Sequence, residues 1–446
     1  MADGSPGLTR KLAGFVATFE SSKIPAQAYE HAKVAFMDWL AVTIGGKDDP
    51  LVRKLIDCAD RMGGHPQATI LGHGMRKSVA QAALINGASS HVLDYDDTLV
   101  NFFGHPSVTL FPAILALAEW QERDGQDFLT AYLIGLQAGA TVGSCAGPAH
   151  YMSGWHATAT LGHLASAAGC ARLLGLDEDQ TTHALGIGGT QSSGLKRVFG
   201  TMCKPFHAGM AAEAGLTAAL LAQSGFTSAE DILEGPQGFF QALRGEVNEG
   251  VVERLGQDWD VENLAQKYHA SCHATHSPLE AAMAAVREAR IGLDEINTIR
   301  VHSSQLALDA AGKTEPVTGL EGKFSISYCV ANALLRGTTG NEAFTDERVK
   351  DPAVRELMQR ITVVLGGDIA GLESRVDVET NDGKVHSACA DILQQIPSLD
   401  MKRERIRAKA LSLWEPAMGR EKATQLAGEI QSLERARNFT SLLMGL

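Results

Sequence analysis

The sequence predicts a mainly α protein, in which a large all-helical domain is joined by a smaller α+β domain. Three observations carry that expectation. From Thr9 to about Val252 apolar residues recur at three- and four-residue spacing, and no strand pattern interrupts them. After about Lys267 short strand-like runs enter, with a hairpin signal at Asn381-Asp382-Gly383. From Met401 onward the chain returns to charged amphipathic helix, so the tail is expected to rejoin the helical domain. The expected divisions are 1–266, 267–400 and 401–446.

Taken in order, Ala26–Ile44, Ser78–Leu93, Phe111–Trp120, Phe128–Val142, Thr158–Leu174 and Ala208–Ala222 read as helices. The runs AYLIGLQAGATVG and GHLASAAGCARLLG are rich in Ala and Gly, which lets backbones approach closely and suggests burial on more than one face. Ile296–His302 and Ile361–Leu365 read as strands, as do Arg375–Thr380 and Lys384–Cys389 on either side of the turn. Helices at Pro278–Arg290 and Ser327–Leu335 intervene and make this stretch α+β.

Composition narrows the function classes. A chain of 446 residues exceeds one core of ordinary size, and 45% hydrophobic residues supply ample surface to bury. With 52 acidic against 39 basic residues, the net charge of -13 disfavours a nucleic-acid or anionic-membrane surface and leaves small molecules or proteins as partners. No apolar run is read as long enough to span a bilayer and the opening segment lacks a signal-peptide pattern, so a cytoplasmic location is expected. Seven scattered cysteines without a CxxC pair suggest neither a disulfide framework nor a zinc ribbon.

Four polar clusters stand out. His91, Asp94 and Thr98, in HVLDYDDT, fall at i, i+3 and i+7, so a continuing helix would put them on one face. Acids at a helix C-terminus oppose its dipole; they either cap the next loop or form an aspartate-rich magnesium site, for which no second such motif follows. His105, in Gly104-His105-Pro106-Ser107, sits in a loop where an imidazole can titrate near neutral pH. Lys196, Arg197 and Lys204 lie among glycines, and the segment ends in Phe206-His207-Ala208-Gly209 at a helix start, a pattern suited to carboxylates. Lys267, His269, Cys272, His273 and His276 gather where the texture changes; three histidines without a further ligand pattern make a weak zinc site and a better substrate cleft. Trp155-His156 and Tyr328 stand before or within helices and could serve packing alone.

Together these blocks resemble the MmgE/PrpD family, through NGASSHVLDYDDT, GHPS, SGWHATATLG, FGTMCKPFHAG and KYHASCHATHSPLEA, in the family's order. The resemblance implies a helical domain built from both chain ends, an α+β lid, a cleft between them, a homodimer, and catalysis without metal or organic cofactor. It implies catalytic roles for Asp94, Thr98, His105 and Lys204. It implies substrate contacts from His156, Lys196, Arg197, His207, Lys267, Cys272 and Tyr328. Ala157 replaces the proline usual after His156, and Cys272 falls where the family's decarboxylases carry a histidine.

The implied reaction is that of a lyase, a hydratase or dehydratase acting on a small di- or tricarboxylate such as 2-methylcitrate. An epimerase of the iminodisuccinate type is the alternative; a cis-aconitate decarboxylase or a non-catalytic carboxylate-binding protein fits less well. Charge developing beside a carboxylate needs a cation, for which Lys204 is the choice, with Lys196 or Arg197 near it. His105 and Asp94 are the expected acid–base pair, with Thr98 holding a substrate oxygen.

Overall fold

A computed structural model describes residues 7–394, 396–439 and 442. The first six residues of the opening segment, and the last few of the expected 401–446 segment, lie outside the described residues. The chain divides into two compact units, one of Met1–Val92, Asp96–Gln266 and Ser398–Leu446, the other of Leu93–Tyr95 and Lys267–Pro397.

In the larger unit the helices Ser107–Trp120, Gly125–Met152 and Ala157–Leu174 are buried along almost their whole length. Outer helices such as Pro50–Met62 bury one stripe only, as their charge pattern requires. An aromatic cluster ties the centre together: Phe111 stacks on Tyr132 at 3.9 Å, and Phe36 meets Phe111 at 5.3 Å and Phe128 at 5.1 Å. Each such buried ring contributes about 2–3 kcal/mol from removed apolar surface. The helix Leu399–Met418 packs on Ala26–Gly46, where Lys409 meets Asp38 at 2.6 Å with both side chains buried.

Two expectations for this region are corrected. A short hairpin, β1 (Ala68–Ile70) and β2 (Met75–Lys77), interrupts the helices. Its strands are too short to show alternation in sequence. It is held by the Asn86 amide, which accepts from Leu71 N at 3.0 Å and donates to Thr69 O at 2.9 Å, while Gly72 and Gly74 turn the chain at positive φ. Secondly, Gly125–Met152 is long and apolar enough to cross a bilayer, but it lies almost wholly buried within the protein and serves as a core helix.

The smaller unit is built on one sheet of β3 (Ile296–Ser303), β4 (Ile361–Leu365), β5 (Ser374–Thr380) and β6 (Val385–Ala390), in the order β4-β3-β5-β6. β3 pairs parallel to β4 and antiparallel to β5. β5 and β6 form the hairpin around Asn381–Gly383, with Gly383 at φ +80° as that turn requires. Alternate β5 residues, Ser374, Val376, Val378 and Thr380, are buried, and the helix His276–Ala289 packs on β5 and β6.

Candidate functional site

The helix Val79–His91 starts at a capping box, Ser78 with Gln81, and stops at His91. Asp94 follows in the left-handed region, φ +51°, so the continuous helical face expected for His91, Asp94 and Thr98 does not form. Thr98 instead pairs through its backbone with Ala265, N to O at 2.9 Å in both directions. Val79–His91 and Cys203–Gln223 touch where Gly87 faces Gly209: a Cβ on Gly87 would lie 2.8 Å from Gly209 Cα, and one on Gly209 would lie 2.2 Å from Leu84 O. Small residues there allow backbone contact. His91 and Lys204 each lie about one turn from that crossing, some 6–8 Å along their helices.

At this end of the larger unit four imidazoles gather. His91 donates from Nδ1 to both carboxylate oxygens of Asp96, at 2.9 and 3.0 Å. His105 Nδ1 lies 2.8 Å from Asp96 Oδ2 and 2.9 Å from Asp97 O. The His91 and His105 rings are 4.6 Å apart, and His91 stacks on His156 at 6.1 Å. His156 Nδ1 and His207 Nδ1 share a hydrogen bond of 3.1 Å, and Phe199 sets its ring edgewise to His156 at 4.9 Å. The Lys204 ammonium stands 5.7 Å from the Phe199 ring. The loop bearing His105 is seated by Thr158 Oγ1, which accepts from His105 N at 3.1 Å. Gly104 permits this, since a Cβ there would come within 2.6 Å of that oxygen.

Charge in this cluster is sorted by burial. Burial pushes His91 down to about 4; Asp96 works against this, and Lys204 and His105 add to it. Burial also holds His156 well below the ordinary imidazole range, with His91 and Lys204 adding to it, and lowers His207. Burial alone would raise Asp96, but its two imidazole partners keep it well below the usual carboxylate range. His91 and His156 are therefore neutral at pH 7, Asp96 is an anion, and the fixed positive charge is that of Lys204. Both Lys204 and His105 bear electrostatically on His91 and on His156, so they share one neighbourhood.

His105, Lys204, His156 and His207 are thus the anticipated residues that converge in this unit. Within this unit the carboxylate bonded to His105 is that of Asp96. His91 and Asp96 were within a recognised motif, yet the helix stop that turns them toward each other had no signal in the spacing. Lys196 donates to Tyr151 O at 3.1 Å and lies over the Tyr151 ring at 3.6 Å, and Arg197 is exposed. Among the described residues of this unit, His91, Asp96 and His105 could hold a cation, their ligand atoms lying within 4.8 Å of one another.

In the smaller unit Lys267, 1% exposed, donates to Asp94 O at 2.8 Å and Oδ1 at 3.0 Å. Lys323 donates to Leu93 O at 2.6 Å, so two buried lysines anchor Leu93 and Asp94. Cys272 is half-buried and its N donates to Lys323 O at 2.9 Å. Tyr328 is wholly buried with its hydroxyl donated to Ala343 O.

Comparison with known proteins agrees with this architecture. Residues 10–249 match the MmgE/PrpD N-terminal domain and residues 269–435 the MmgE/PrpD C-terminal domain. The cis-aconitate decarboxylase-like protein oryM of Aspergillus oryzae is 27% identical, over 99% of this chain and 98% of its own length. Human cis-aconitate decarboxylase is 27% identical over 82% of this chain and 79% of its own. The mitochondrial 2-methylcitrate dehydratase of Yarrowia lipolytica is 26% identical over 76% and 68%. With both domain types present in order and relatives of the lyase type, the chain belongs to the MmgE/PrpD family.

Proposed function

We propose that this chain is a metal-independent hydratase or dehydratase of a small di- or tricarboxylate such as 2-methylcitrate, acting through proton removal next to a carboxylate. The observation that carries this reading is the shared neighbourhood of the Lys204 ammonium and the His105 imidazole, lined by neutral histidines, in a chain of net charge -13. An acidic protein that concentrates a cation in a partly buried site is suited to an anionic substrate. His105 takes the proton from the α-carbon, and Lys204 stabilises the enediolate formed as it leaves. One such contact in a water-poor site contributes about 3–4 kcal/mol to the transition state. The His105 imidazolium then returns that proton to the departing hydroxyl, which leaves as water. The metal-independent part of the reading rests on the Nδ1 atoms of His91 and His105 both being engaged by Asp96, and on Lys204 as the cation beside them.

A second reading, decarboxylation, is favoured by the printed names of the Aspergillus and human relatives. In that case carbon dioxide leaves in place of the proton, and the same cation stabilises the resulting anion. Cys272, where the decarboxylases it resembles carry a histidine, weighs against it. The test is a panel of 2-methylcitrate, citrate, cis-aconitate, tartrate and iminodisuccinate followed by NMR in deuterated buffer. Loss of water from a hydroxy acid supports the proposal. Carbon dioxide release from cis-aconitate supports the second reading, and α-deuteration without loss of mass from either would replace both by an epimerase.

A further inference from the structure

We infer that Asp96 is a positioning residue that pins His105, with His91 as its clamp, in the one tautomer that leaves Nε2 free to accept a proton. The inference deepens the proposed function and rests on it for the role of His105, but its structural part stands by itself. His105 Nδ1 faces two oxygens, Asp96 Oδ2 at 2.8 Å and Asp97 O at 2.9 Å, and neither a carboxylate anion nor a carbonyl can donate. The hydrogen of a neutral His105 ring must therefore sit on Nδ1, and its lone pair on Nε2. The same logic applies to His91, whose Nδ1 lies 2.9 and 3.0 Å from the two oxygens of Asp96.

One carboxylate thus accepts from two imidazoles, and exposure tells them apart. The side chains of His91 and Asp96 are 0% and 1% exposed, whereas that of His105 is 12% exposed. Only His105 can meet a substrate. Among the described residues His91 Nε2 has no hydrogen-bond partner, so His91 acts through Nδ1, holding Asp96 against rotation. Without Asp96 the His105 ring could take the other tautomer or flip, and the proton-accepting nitrogen would be lost to the reaction.

Asparagine at position 96 removes the negative charge and replaces one acceptor oxygen by a donating amide, so it holds the two Nδ1 hydrogens more weakly and can turn its donor toward one of them. The test is the two-bond nitrogen–proton NMR spectrum of protein labelled with ¹⁵N-histidine, the His105 signal being assigned by its loss in His105→Gln. The native protein is expected to show His105 with the hydrogen on Nδ1, a measurement that needs no Asp96 variant to fold. Asp96→Asn is expected to move part of that signal to the Nε2–H form. It should lower kcat about 10²- to 10⁴-fold, with KM, on whichever acid of the panel is consumed, changed by less than about threefold. His91→Leu is expected to keep the His105 tautomer and lower kcat by about tenfold through the loosened carboxylate. An Nε2–H ring in the native protein, or an Asp96→Asn variant with unaltered tautomer and kcat, would overturn the inference. Full turnover in His105→Gln would instead remove His105 from the chemistry while leaving the tautomer result standing, so the two failures are distinguishable.

Discussion

Replacing Asp97 by asparagine is expected to change the pH dependence of stability more than stability at any one pH. Asp97 is 1% exposed. Its Oδ2 lies 2.5 Å from Ser107 Oγ, which in turn lies 2.9 Å from Tyr132 OH, and its Oδ1 has no hydrogen-bond partner among the described residues. Burial raises its pKa from 3.8 to about 8, and Asp38 and Asp96 push the same way against the Ser107 hydrogen bond. The remaining charged neighbour is Lys402, itself brought down to about 8 by burial, with Asp97 opposing that shift. In the unfolded chain the carboxyl is ionised above pH 4, whereas the folded protein keeps the proton up to about 8. Between those limits folding takes up a proton, so stability falls as pH rises and levels off above the folded value. A gap of about 4 units at 1.36 kcal/mol each sets a ceiling of roughly 6 kcal/mol. Relaxation and the Lys402 charge reduce the expected change to about 2–4 kcal/mol between pH 5 and pH 8. Asparagine has no proton to gain, so the variant should gain on the native protein by that amount across the interval; any cost of the amide itself shifts the curve without tilting it. Paired urea unfolding curves followed by tryptophan fluorescence at half-unit pH steps measure this. A difference between the two proteins that stays constant from pH 5 to pH 8 would refute the reasoning.

Lys204→Ala and His105→Ala should each lower turnover by at least about 100-fold with an unchanged circular dichroism spectrum, in line with loss of a charge stabiliser or a proton acceptor. Near-normal rates would remove that residue from the mechanism. Gly209→Ala pushes a Cβ to 2.2 Å from Leu84 O; it should destabilise by about 1–3 kcal/mol in spite of alanine's helix advantage of about 1 kcal/mol, read as a lower melting temperature. Lys409→Met strands the buried Asp38 carboxylate and is expected to cost about 3–5 kcal/mol, most of it recovered when Asp38→Asn is added, as a double-mutant cycle would report. Cys272→Ser should keep activity if the thiol only lines a pocket, whereas complete loss would show that it takes part.

The sequence by itself was enough for the mainly α class, for the hairpin around Asn381-Asp382-Gly383, and for the candidacy of His105, Lys204, His156 and His207. Those features are local: periodicity, turn chemistry and motif spacing are written in adjacent residues. The tertiary structure alone decided that Asp96 lies against His105 Nδ1, because that contact follows from where the helix Val79–His91 stops and how the loop after it turns back. It also decided that Tyr328 spends its hydroxyl on Ala343 and Lys196 its ammonium on Tyr151, since the competing partners come from segments distant in the chain. The depth at which Asp96 and Asp97 lie was likewise invisible: how far burial moves a proton depends on the whole packed surroundings, and no spacing of letters encodes that.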